Sequence, residues 1–253
     1  MDTLITKRLS KNFGGIKAVD EVSITVKKKT ITALIGPNGS GKTTLFNLIS
    51  GFYEPDNGKV LFLNKDITNL NSHQIANQGL VRTFQIVKIF RNLSVLENML
   101  VAPKRDYGDS FIKTITNFKK SIKEEKEAYD YTNDLLNLLE LSHLKDEYAG
   151  NLSGGQLKLL SLGLALMRDP EILLLDEPVA GVNPTLANKI FDILINCRDN
   201  FNKTFFIIEH NMDVVLDFSD LIYVMNRGKI IAEGPPKEIF SNRGVIDAYL
   251  GVD

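Results

Sequence analysis

"TITALIGPNGSGKTTLFNLISG", residues 30 to 51, decides the fold. It opens on a continuous apolar run ending in glycine (30–36), the pattern of a strand buried on both faces. It closes on "KTTLFNLISG" (42–51), which reads as a helix with Leu45, Leu48 and Ile49 on one side and Gly51 as its stop. Between them, Gly36-Pro37-Asn38-Gly39-Ser40-Gly41-Lys42-Thr43 meets G-x-x-x-x-G-K-[ST] at every fixed position. Glycines let successive backbone N–H groups turn inward as a nest for anionic oxygens, and the helix start adds partial positive charge. Lys42 can reach the β- and γ-phosphates of a nucleotide, the Thr43 hydroxyl can ligate Mg²⁺, and Thr44 completes the phosphate-binding set. A glycine-rich turn with a chance lysine is the alternative, and the strand before and helix after weigh against it.

The same alternation of strand and helix recurs on the far side of the chain. "EILLLDEP" (171–178) and "TFFIIEH" (204–210) predict strands, separated by a helix bearing Leu186, Ile190, Ile193, Leu194 and Cys197. "LIYVM" (221–225) and "KIIAEG" (229–234) predict a hairpin around Asn226-Arg227-Gly228. Nearer the start, Val22, Ile24 and Val26 point one way in a half-exposed strand, and "KVLFL" (59–63) is another. From about 90 to 168 the spacing turns helical, with Tyr131, Leu135, Leu138 and Leu139 in register and 157–167 apolar nearly all round. "KKSIKEEKEAYD" (119–130) pairs Lys120 with Glu124 and Lys123 with Glu127, a solvated helix face. The fold class is α/β, with β/α units at both ends enclosing a mostly helical insert.

Nucleotide binding alone does not give hydrolysis, which also needs a metal-holding acid and a group to orient or deprotonate water. "ILLLDEP" supplies both: Asp176 at the strand end can hold Mg²⁺, and Glu177 can face the γ-phosphate as general base. Helix capping before Pro178 is the other use for such acids. "NLSGGQLKLL" (151–160) sets Ser153 and Gln156 as a capping box at a greasy helix. That explains neither Gly154 nor Gly155, which cost backbone entropy and leave a surface another group can approach closely.

The chain has 253 residues, 43% hydrophobic and 24% charged, with a formal net charge of -1, which argues against a general basic surface for nucleic acid. Its single cysteine, Cys197, excludes an intramolecular disulfide or a multi-cysteine zinc site and suits a reducing compartment. "MDTLITKRLS" lacks the apolar core of a secretory signal, and no run approaches the roughly 20 apolar residues that span a bilayer. The expectation is a soluble chain unless a partner holds it at a membrane.

The P-loop, "NLSGGQ" and "LLLDEP", in this order, resemble the ATP-binding cassette family, specifically the nucleotide-binding subunits of transporters. Many NTPases share the P-loop; "LSGGQ" is the discriminating piece, and the resemblance covers essentially the whole chain. It implies a P-loop NTPase with a RecA-like core, an N-terminal antiparallel β subdomain and a helical signature-motif subdomain. One domain then spans 1–253, with about 1–90 and 169–253 as ATP-binding core and β subdomain and about 91–168 as the helical part. ATP and Mg²⁺ are the implied ligands. Gln85 in "VRTFQ" matches the glutamine that contacts Mg²⁺ or the attacking water; its bland reading is a polar residue at a strand end. His210 in "IIEHNM" matches the switch histidine at the γ-phosphate, where a lone histidine would otherwise cap or pack. Phe13 in "KNFGGIKAVD" matches the aromatic that stacks on adenine, and otherwise reads as core.

In this family two such domains pack head to tail, and the signature loop of one closes over ATP held by the other. Ser153, Gly154, Gly155 and Gln156 therefore count among the nucleotide-binding residues. Two places depart from the wider pattern: Asn183 in "AGVNP" stands where an aspartate is usual, and Leu164 and Leu157 stand where arginine and glutamine are common.

"FGGIKAVDEVSI", "GLVRTFQIVKIFRNLSVLENMLVA", "IEHNMDVVLDFSDLIYVMNRGKIIAEGPP" and "VIDAYLG" together look like the hydrophobic amino acid uptake branch, in particular its larger ATP-binding subunit for leucine, isoleucine and valine. That implies a second ATPase subunit in a homo- or heterodimer, permease subunits, an external solute-binding protein, no nucleic acid, and a peripheral place on the cytoplasmic face of the cell membrane. Residues 86–105 are the expected surface for the permease. Related systems for urea uptake or lipopolysaccharide export are the near alternatives. A soluble factor of the same family would carry two cassettes or a long coiled-coil insertion. A lone P-loop kinase would have no use for "LSGGQ", and a module without turnover would lack a Glu177 equivalent.

Overall fold

The apolar run that opens the quoted stretch forms β4 (Ile31–Ile35), whose five residues are all buried. The computed structural model describes residues 1–83, 89–102 and 118–250. β4 lies inside a six-stranded sheet with β7 (Leu80–Arg82), β8 (Ile172–Asp176), β9 (Thr204–Ile208), β10 (Leu221–Asn226) and β11 (Lys229–Gly234), in the order β11-β10-β4-β9-β8-β7. All neighbours from β10 to β7 pair in parallel, and β11 closes antiparallel on β10. The chain leaves β4 by α1 (Lys42–Ile49), re-enters at the far edge as β7, and returns through β8 and β9 to cross to β10. Strands with neighbours on both edges and cover on both faces need no polar alternation, so β4, β8 and β9 read as unbroken apolar runs.

The hairpin expected around Asn226-Arg227-Gly228 is present, and both turn residues have positive φ (46° and 82°). That is the mirror-image turn whose twist suits a two-residue hairpin.

A second, antiparallel sheet joins β1 (Asp2–Phe13), β2 (Ile16–Val22), β3 (Thr25–Lys27), β5 (Asn57–Phe62) and β6 (Lys65–Asp66). Here the structure corrects the single strand read through Val22, Ile24 and Val26. All three side chains are buried, as their spacing required, but the chain breaks between β2 and β3. Thr6 holds the break: its hydroxyl donates to the Val22 carbonyl (3.1 Å) and accepts from the Ile24 N–H (3.0 Å). Burial spacing is set by the core, whereas ladder continuity depends on which backbone groups find partners.

Leu45, Phe46, Leu48 and Ile49 of α1 pack in one core with Leu9, Val60, Phe62, Leu174 and Phe206. The Phe46 and Phe206 rings lie 4.8 Å apart. Each such side chain contributes about 1.5–3 kcal/mol of burial, which fixes α1 and the loop before it against the sheet.

The chain divides into two compact units, Met1–Gln85 with Glu171–Asp253, and Ile86–Pro170. The second contains α3 (Val95–Val101), α4 (Phe118–Leu138) and α5 (Gly154–Leu166). Leu135 and Leu136 of α4, Leu139 just past its end, and Leu159, Leu160, Leu162 and Leu166 of α5 are buried. Gly163 in α5 lets the side-chain ends of Leu139 and Met99 approach closely: a Cβ there would meet Leu139 Cδ1 at 2.6 Å and Met99 Sδ at 2.9 Å, and those ends would have to shift. Completing the first unit are α2 (Ser72–Asn77), α6 (Pro184–Phe201), α7 (Met212–Phe218), α8 (Pro236–Ser241) and α9 (Arg243–Leu250). Asn183 caps α6, accepting from the Leu186 N–H at 2.8 Å. Asparagine and aspartate cap about equally well, so the departure at 183 leaves the start of this helix intact.

Candidate functional site

Three strand ends meet at the carboxyl edge of the parallel sheet: β4 delivers Gly36–Thr43, β8 delivers Asp176 and Glu177, and β9 delivers Glu209 and His210. Open α/β sheets gather ligands at that edge. A cavity of about 470 Å³ lies there, lined by Asn38, Gly39, Gly41, Lys42, Thr43 and Thr44, by Glu177 and His210, by Ile16, Lys17 and Ala18, and by Arg227 and Gly228. Its size suits a small-molecule ligand.

The loop is built as a cradle. A Cβ on Gly36 would lie 2.0 Å from the Met225 carbonyl oxygen, and one on Gly41 would lie 2.1 Å from that of Ala18. Gly41 also has φ 106°, a conformation that L side chains rarely adopt. Side chains cap α2, α3, α5, α6 and α7, whereas Gly41 leaves the start of α1 with no side-chain cap. Those first-turn N–H groups are the donors an anion would take. Lys42 is buried, and its ammonium donates to the carbonyls of Gly36 and Pro37 (both 2.9 Å) and to Ser40 Oγ (3.3 Å). Burial pushes its pKa down, while the charges of Glu177 and Asp176 pull it up.

Asp176 and Glu177, adjacent in sequence, are held in different ways. Asp176 is buried and its Oδ2 accepts from Arg82 at 3.0 Å. The same guanidinium donates to Asn47 Oδ1 (2.6 Å) and Ser50 Oγ (3.3 Å), and it stands 5.6 Å from the Phe46 ring centre. Burial lowers the Arg82 pKa against the pull of Asp176. Glu177 has φ 51°, left-handed for a residue with a Cβ. This turns its carboxylate out of strand alternation, and Oε1 meets His210 Nε2 at 3.0 Å. Backbone of this kind stores on the order of 1–3 kcal/mol and persists only where surroundings hold it. The Glu177 N–H donates to the Ile208 carbonyl at 2.9 Å, one of the contacts that hold it.

Of the other expected site residues, Phe13 ends β1, is 42% exposed and sits edge-on to Tyr53 with ring centres 5.4 Å apart. It is outside the cavity lining, as are Pro37 and Ser40. Ser153, Gly154, Gly155 and Gln156 belong to the second unit. The capping box forms there: the Ser153 N–H donates to Gln156 Oε1 (2.8 Å), and Ser153 Oγ accepts from the Gln156 N–H (3.3 Å). Gln85 lies outside the described residues, as do 86–88 and 103–105 of the expected permease surface.

Arg82, Glu209 and Arg227 were not anticipated. A polar residue directly before His210 and a basic residue in a hairpin turn carry no local pattern. Arg82, ending a strand that leads to "TFQ", offered the one usable signal.

Two family models match the chain: ABC transporter over residues 19–180, and branched-chain amino acid ATP-binding cassette transporter over 229–253. A probable branched-chain amino acid transport ATP-binding protein, LivG, of Archaeoglobus fulgidus is 46% identical, the alignment covering 99% of this chain and 96% of the relative. The high-affinity LivG of Escherichia coli K12 is 38% identical over 96% of this chain and 95% of its own. Among solved structures, MJ1267, an ATP-binding cassette of an ABC transporter in its ADP conformation, superposes with a TM-score of 0.86 at 44% identity, covering 99% of both chains.

Proposed function

From the premise that this chain belongs to the ABC transporter family, as one of its ATP-hydrolysing subunits, we propose that it powers a membrane importer for branched-chain amino acids. The observation that carries the hydrolytic part is the Glu177–His210 pair, set at 3.0 Å on the wall of the cavity that the P-loop also lines. The choice of solute rests on relatives named for branched-chain amino acid transport, because no residue of the site would touch the solute.

The cradle fits a triphosphate. The N–H groups at the start of α1 take phosphate oxygens, and the three donors of Lys42, now spent on its own loop, are the ones a β/γ-phosphate would claim. The donor set also fits Mg²⁺, which commonly uses one or two protein ligands and completes its shell with waters and phosphate oxygens. Thr43 and Asp176 would hold it, with Gln85 added. When bound, Mg²⁺ would supply charge neutralisation to the phosphate groups. Glu177 takes a proton from the attacking water, and His210 holds the Glu177 carboxylate and faces the γ-phosphate. Arg82 fixes the Asp176 carboxylate; a buried pair of this kind typically costs about 3–5 kcal/mol to break by removing one partner.

A second observation supports a site shared between two copies or two different subunits. Gly154 does not have a positive φ, and a Cβ there would meet nothing within 4 Å. Neither conformation nor packing among the described residues asks for glycine, so close approach by a group from outside accounts for it. That group is ATP held by a partner ATPase. Phe13 is the stacking platform for adenine, beside Tyr53. Phe13→Ala should weaken ATP by roughly 1–3 kcal/mol in titrations with a fluorescent analogue, and unchanged affinity would leave Phe13 a surface partner of Tyr53.

No helix among the described residues is long and apolar enough to cross a membrane. The chain then works peripherally on the cytoplasmic face, held by permease subunits that receive solute from an external binding protein. Vesicles carrying the assembled complex should take up labelled leucine, isoleucine and valine with ATP inside, and lose uptake when this chain is omitted. Uptake of labelled urea in place of leucine would move the chain to a related system.

A further inference from the structure

Glu209 is a buried carboxyl group that the roles assigned to Glu177 and His210 do not use. It follows β9 directly and is 3% exposed. Its Oε1 accepts from the Val179 N–H at 3.0 Å, and its Oε2 accepts from the N–H groups of His210 (3.1 Å) and Asn211 (3.5 Å). Val179 stands two residues beyond Glu177, at the start of the loop that runs to Asn183. One buried carboxylate therefore grips both backbone segments whose side chains meet at the Glu177–His210 contact.

Burial pushes the Glu209 carboxyl up, the three N–H donors pull it down, and the charge of Glu177 adds to the rise. The net direction is upward. A carboxyl raised in the folded state contributes stability below its unfolded pKa and loses it as pH climbs from the ordinary carboxylate range through the folded value.

We infer that Glu209 is a positioning residue for hydrolysis, clamping the Glu177–Val179 segment to the His210–Asn211 turn so that base and histidine stay at working distance. The inference rests on the roles proposed for Glu177 and His210. A glutamine at 209 keeps the shape but turns one acceptor into an N–H₂ group facing N–H donors, which loosens one arm of the clamp.

Steady-state hydrolysis by the full chain, with a fluorescent ATP analogue to read binding, tests it. Glu209→Gln should lower kcat by roughly 10- to 100-fold, the scale of a small misplacement of reacting groups, with KM and analogue affinity within about twofold. Glu209→Asp, which keeps both acceptors on a shorter stem, should lie between. In a His210→Ala background Glu209→Gln should cost less than about twofold more, because the group it acts through is gone.

A parent-like kcat for Glu209→Gln beside a slow His210→Ala overturns this inference alone. A parent-like His210→Ala overturns the histidine's role and the clamp with it. Equal losses in both backgrounds, or a parallel fall in affinity and melting temperature, would make Glu209 merely structural. Should Glu209→Gln fail to fold, the same cycle run with Glu209→Asp decides.

Discussion

Glu177→Gln is expected to slow ATP turnover by roughly 10²- to 10⁴-fold, the range a positioned proton acceptor supplies, while ATP stays bound. Glutamine preserves length and shape but cannot take a proton from water. The site around it is otherwise kept: Asp176 remains paired to Arg82, and Lys42 remains in the loop. The backbone at 177 holds φ 51° through main-chain contacts to Ile208 and Ala180, which the substitution does not touch. Hydrolysis and binding should therefore separate. Single-turnover phosphate release against analogue titration measures both, and size-exclusion chromatography with ATP should show more dimer, since the bridging triphosphate is no longer consumed. Hydrolysis at the parent rate would remove Glu177 as the base.

Ser153→Arg should reduce turnover by at least about tenfold, the equivalent of losing one hydrogen bond to a charged group, with nucleotide affinity of the isolated chain nearly unchanged. The reason lies in where Ser153 sits. It caps α5 and is not among the residues that line the cavity of its own chain. The cap itself is worth about 1 kcal/mol, and Ser153→Asp separates that cost from the functional one. Aspartate caps as well as serine but presents negative charge to the partner's γ-phosphate, so its melting temperature should hold while turnover falls. Full activity in both variants would place this loop away from any nucleotide.

How far the sequence could be read depends on the distance over which each feature is decided. The P-loop was legible because its demands are local: Gly41 must adopt φ 106°, a conformation set within the turn itself. The capping box at Ser153 and Gln156 was legible because both partners lie within one helical turn. The buried strands β4, β8 and β9 were legible because their residues need no polar alternation. The single strand drawn through residues 22–26 failed at Thr6, which competes for the backbone from 16 and 18 positions away.

By itself, then, the sequence determined the buried strands, the strand–loop–helix unit of the P-loop and the capping box at Ser153 and Gln156. Only the tertiary structure decided that Arg82 meets Asp176 across 94 positions and that Glu209 reaches back 30 positions to Val179. A buried charge must find its partner wherever strand order brings one. That order, with β4 set between β9 and β10, leaves no periodic trace along the chain.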